Sequence, residues 1–66
     1  MNTVIKRAID IAGSQTELAR RVGTDQPNIS KWLNGAEISS RFILAIVTAT
    51  GGEISAYEIL TSLQKK

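Results

Sequence analysis

Between Gln15 and Gly35 the chain reads QTELARRVGTDQPNISKWLNG. Leu18, Ala19 and Val22 recur at helical spacing, Gly23 interrupts, and Ile29, Trp32 and Leu33 resume the pattern until Asn34-Gly35 closes it. Ser14 and Glu17 make an S-x-x-E start signal for the first helix. Thr24 or Asp25 can cap the second, and Pro27 falls in its first turn, where a missing N–H costs nothing. The connector from Gly23 to Asp25 is very short, and glycine permits a left-handed residue and a sharp change of direction. Two short helices joined in this way cross steeply, as a helix-turn-helix. The small Ala19 lets them approach closely, with Ile29 and Trp32 packing back on the elements before them.

Three further helical patterns flank this pair. NTVIKRAIDIA, residues 2–12, has Asn2 or Thr3 as its cap and Ile5, Ala8, Ile9 and Ala12 on one face, and Gly13 ends it. After a GAEIS loop, Ser39 or Ser40 opens SRFILAIVTAT, which Gly51-Gly52 ends. This segment has strand-like β-branched residues, but its length, its serine cap and the 42/45/46/49 spacing predict a helix. In SAYEILTSLQKK, Ser55 and Glu58 repeat the capping box, Ile59, Leu60 and Leu63 face inward, and Lys65 and Lys66 suit a helix C-terminus or a frayed tail. Gly23, Gly35 and Gly51 read as turn formers. The expected fold is all-α, a compact bundle of about five short helices.

The 66 residues allow one small domain over residues 1–66, whose core is marginal for its size. There is no cysteine and no histidine, and the six Asp and Glu residues are scattered, so no disulfide, metal or cofactor is expected. A net charge of +2 and a pI of about 9.4 fit a nucleic-acid binder without demanding one. No apolar run approaches the roughly 18 residues of a membrane span. Charges interrupt the apolar stretch of MNTVIKRAIDIAG, which is wrong for a signal peptide, so a cytoplasmic protein is expected. Asp10, Glu17 and Glu58 invite an acid–base reading. Two of them already belong to capping boxes, and without His or Cys no enzyme is expected.

The outward face of the third helix carries Gln26, Pro27, Asn28, Ser30 and Lys31. Gln and Asn can pair twice with adenine N6 and N7, and Lys can donate to guanine O6 and N7. The alternative for these side chains is an ordinary solvated face. Trp32 could stack on bases, but its spacing from Ile29 favours the core. Arg20 and Arg21 suit phosphate clamps as well as a solvated patch, and Arg20 can pair with Glu17 on its own helix. Lys6 and Arg7 are equally open.

The pattern Q-x-x-L-A-x-x-V-G-x-x-x-x-x-I-x-x-W-x-N-G resembles the helix-turn-helix of the lambdoid phage repressors and Cro proteins. The following SSRFILAIVTATGGEIS is similar to the small YdaS-like, Cro-type prophage regulators. The resemblance covers nearly the whole chain and implies a lambda-repressor-like fold. It implies that Gln15 touches a phosphate and braces Gln26, and that Gln26 reads a base, adenine first. Pro27 departs from the polar residue usual at its position and would touch a thymine methyl instead. Asn28 and Lys31 would add base or phosphate contacts, with Ser30 on the same face. Thr16, Asn34 and Arg41 would hold the DNA backbone. The implied function is a sequence-specific repressor binding a pseudo-palindromic double-stranded operator as a dimer, its recognition helices about 34 Å apart. Nothing separates repression from activation, and the free chain is expected to be mostly monomeric.

If Phe42, Ala45, Ile46 and Ala49 face the core, Ile43 and Val47 lie opposite. Together with Ile54 and Tyr57 they would form an apolar dimer or partner surface. A core wrapped around more than one side of this helix is the competing account. The partner-surface account supports an alternative function, an antitoxin or interaction module that holds a toxin there.

Overall fold

The computed structural model describes residues 1–63, as five helices: α1 (Thr3–Ala12), α2 (Gln15–Val22), α3 (Gln26–Leu33), α4 (Ser40–Ala49) and α5 (Ala56–Ser62). The described residues include no strand. The fold is all-α, as expected. Lys65 and Lys66 lie outside the described residues. No described helix is long and apolar enough to cross a membrane.

Local chemistry sets the boundaries. Asn2 caps α1, its Oδ1 accepting from the N–H groups of Val4 and Ile5. Asn2 also knots three helices together. Its N–H donates to Leu33 O at the end of α3, and its Nδ2 donates to Ser62 Oγ at the end of α5. Ser14 and Ser55 accept from the N–H groups of Glu17 and Glu58, so half of each capping box forms. The reciprocal carboxylate bonds are absent because both carboxylates turn to arginines, Glu17 to Arg20 and Arg21 and Glu58 to Arg7. A guanidinium is a stronger donor to a carboxylate than a neutral N–H. Ser39 precedes α4 without a side-chain cap bond.

α2 is the hub, packing against α1, α3 and α4, while α5 lies on α1 and α4. The centre holds Ile5, Leu18, Ile29, Ile46, Ile54 and Ile59, all fully buried. Each such side chain contributes about 1.5–3 kcal/mol of burial. Trp32 belongs to this core at 2% exposure, its ring centroid 5.3 Å from that of Phe42.

The face of α4 differs from the expected one. Ile43, Ile46 and Ala49 are buried, Phe42, Ala45 and Val47 are partly buried against the core, and Leu44 points outward. The cause is that α2 and α5 both pack on α4, so its apolar arc is wider than one stripe. Ile43 at 7% exposure and Ile54 at 0% therefore cannot form the expected partner surface, and Val47 is only half-exposed. Ile54 is held inside the α4–α5 turn, its N–H donating to the buried Thr50 Oγ1. Tyr57 is exposed as expected, joined by Leu44 and by Leu60, which was expected to face inward.

Candidate nucleic-acid interface

The turn between α2 and α3 consists of Gly23, Thr24 and Asp25. Gly23 has φ +92°, where a β-carbon is disfavoured, and both its N–H and that of Thr24 fold back to Ala19 O at 2.9 Å. This closes α2 and turns the chain at once into α3. Asp25 then opens α3, its side chain accepting the Asn28 N–H at 3.0 Å. The helix-turn-helix expected from residues 15–35 is thus built by one glycine, one aspartate and the small Ala19, which is buried at the crossing.

The first residues of the two helices meet. Gln26 Nε2 donates to Gln15 Oε1 at 2.6 Å, the contact that the resemblance implies. Gln15 is half-buried and its Nε2 has no partner among the described residues. No buried side-chain nitrogen or oxygen there lacks a hydrogen bond, so Gln15 Nε2 faces solvent. Beside it the N–H groups of Gln15 and Thr16, in the first turn of α2, have no intrahelical acceptor, and Thr16 is exposed. Donors at a helix start suit a phosphate oxygen.

Along α3, Gln26, Pro27 and Lys31 are exposed, whereas Asn28 and Ser30 are half-buried. Asn28 departs from the freely projecting side chain expected of a reader. Its Nδ2 donates to Thr24 Oγ1 at 3.0 Å. In the sequence Thr24 reads as a cap, although its i, i+4 spacing to Asn28 is visible there. Asn34 is exposed after the last turn of α3, and Arg41 is exposed in the first turn of α4, its guanidinium carbon 4.8 Å from the centre of the Phe42 ring.

Charge is unevenly committed. Lys6 pairs with Asp10 at 3.5 Å and Arg7 with Glu58 at 2.9 Å. Arg20 and Arg21 both hold Glu17, at 2.6 and 2.8 Å. Hydrogen bonds first from Arg20 and then from Arg21 lower the Glu17 pKa to about 2. Arg21 also donates to Ala49 O, so it ties α2 to the end of α4. Among the described lysine and arginine side chains, only Lys31 and Arg41 have no carboxylate partner within ion-pair distance. The uncommitted lysine and arginine side chains among the described residues therefore lie on α3 and the start of α4.

A shallow cleft of about 220 Å³, lined by Met1, Asn2, Asn34, Gly35 and Ser62, gathers no acidic or basic side chain. No curated protein and no solved structure matches the chain. The family described as bacterial toxin YdaS matches it over residues 5–64. Of the two likenesses drawn from the sequence, the narrower is the one that this match supports, and the chain belongs to the YdaS family.

Proposed function

We propose that the chain is a sequence-specific double-stranded DNA-binding transcription regulator, a Cro-like repressor of phage or prophage type acting in the cytoplasm of its bacterial host. The observation that carries this reading is the Gln15–Gln26 bond across the two helix starts. It places a braced amide at the exposed beginning of α3, the end of a recognition helix that enters the major groove. Gln26 retains its Oε1 and a second N–H, the pair that adenine N6 and N7 require. Gln15 Nε2 and the open N–H groups of α2 would take a phosphate beside it, and Lys31, Arg41, Thr16 and Asn34 would hold the backbone on either side. Pro27 would rest on a thymine methyl, and Ser30 would be a minor contact. Phosphate neutralisation would make the affinity salt-dependent.

The chain would bind a pseudo-palindromic operator as a homodimer and repress by occupying a promoter. It needs no cofactor for this and performs no catalysis. Selection from random duplexes at physiological salt tests the reading. A two-fold symmetric site, with half-sites about one turn apart, is the expected result. Recovery of no preferred sequence contradicts it. A reporter placed behind the recovered site separates repression from activation, and sedimentation of the free protein at micromolar concentration is expected to show mainly monomer.

The family's description as a toxin favours a second reading, in which the chain acts on growth through a protein partner. The surface available for that is Leu44, Tyr57 and Leu60, since Ile43 and Ile54 are buried. Growth arrest on expression that persists in Gln26→Ala would favour this reading. Arrest that disappears with Gln26→Ala would assign it to DNA binding.

A further inference from the structure

Two amides on α3 are tethered by their amino ends, Gln26 to Gln15 and Asn28 to Thr24. The second tether involves a turn residue that the reading above leaves without a role. Thr24 is fixed by its own backbone, whose N–H closes α2 on Ala19 O at 2.9 Å. Asn28 is fixed by its backbone N–H on Asp25 Oδ1 at 3.0 Å. With both backbones pinned, the 3.0 Å bond from Asn28 Nδ2 to Thr24 Oγ1 holds the amide in place. Asn28 Oδ1 accepts no hydrogen bond from any described residue, and no buried side-chain oxygen there is unpartnered, so Oδ1 faces solvent.

We propose that Thr24 is a positioning residue for specificity: by holding the Asn28 amide it fixes that side chain over one base position of each half-site. This rests on the DNA-reading function proposed above. In the major groove adenine N6 and cytosine N4 are donors, whereas the guanine O6 and N7 and thymine O4 atoms only accept. A free asparagine can turn its amide over and serve either set. A threonine hydroxyl both accepts and donates, so the tether holds the side chain in place whichever end of the amide it meets, and the turn between the helices, not α3 alone, sharpens the preference at one half-site position. Thr24 touches no base in this scheme; it acts through Asn28.

The test is selection from random duplexes with the wild type, Asn28→Ala, Thr24→Val and Thr24→Ser, each checked for cooperative melting. The wild-type site should show one base favoured about fivefold or more at one half-site position, and Asn28→Ala should erase that preference alone. Thr24→Val keeps the shape and removes the hydroxyl acceptor, so it should lose the same preference while the position read by Gln26 stays sharp. Thr24→Ser should keep it. If Thr24→Val does not fold, Thr24→Ala is the second variant without a hydroxyl. An Asn28→Ala selection that leaves every position as sharp as in the wild type overturns the proposal. So does an unchanged preference in Thr24→Val, or its loss in Thr24→Ser. A wild type that selects no sequence at all overturns the DNA-reading function, and this inference with it.

Discussion

Gln26 Nε2 donates a 2.6 Å hydrogen bond to Gln15 Oε1, joining the first residue of α3 to the first residue of α2. The two side chains therefore act as one unit, with one end aimed at a base and the other at a phosphate. A double-mutant cycle of Gln15→Ala and Gln26→Ala on the preferred duplex should show a coupling energy of about 0.5–3 kcal/mol. Strictly additive losses would mean that the two amides act separately.

Trp32 is an anchor of the core. It is 2% exposed and packs its ring at 5.3 Å from Phe42, on the helix that follows. Trp32→Ala should cost about 3–5 kcal/mol, enough to unfold most of a domain this small. Denaturant melts measure this directly. A cooperatively folded Trp32→Ala protein that has lost only DNA binding would move Trp32 from the core to the interface.

The free cations and the paired ones should behave differently. Lys31→Ala and Arg41→Ala should weaken binding to preferred and random duplexes alike, each reducing the salt slope by about 1. Lys6→Ala should leave the slope nearly unchanged, because Lys6 is already paired with Asp10 on the flank of α1. Equal slopes for wild type and Lys31→Ala would remove Lys31 from the backbone contacts.

Glu17 links acidity to stability. Its pKa falls from the ordinary 4.5 to about 2, through Arg20 first and Arg21 second. A depressed carboxyl pKa contributes stability that is present above the unfolded value and lost as pH falls through the folded one. Thermal melts should therefore show the wild type losing stability between pH 4.5 and about 2 more steeply than Glu17→Gln. The effect is small, since these side chains meet in solvent. Parallel profiles would show that the ion pairs contribute nothing.

The sequence made the helix-turn-helix legible because its signals are local. Gly23 sets a turn, Asp25 and Pro27 start a helix, and Ile29 with Trp32 repeats at a period no strand shares. The inward face of α4 was not legible. Every residue of FILAIV is apolar, so periodicity cannot choose a face, and the choice falls to α2 and α5 packing from two sides. Ile43 is misplaced for that reason, whereas Ile54 lies in the α4–α5 turn, where no helical period applies, and Leu60 stands next to the buried Ile59, so two adjacent apolar residues compete for one inward position. The Gln15–Gln26 contact was anticipated only through the family likeness, because spacing alone does not bring residues 11 apart together. The Thr24–Asn28 tether is hidden in the sequence because Thr24 reads first as a helix cap, although its spacing permits the contact.

The central claim is that the exposed start of α3 reads DNA sequence. Comparing wild type and Gln26→Ala on the selected site and on random duplexes at one salt concentration tests it most directly. The account predicts a loss of about 1–3 kcal/mol on the selected site, relaxed choice at one base position, and little change on random DNA. An equal loss on both duplexes, or none on either, would show that Gln26 reads no base.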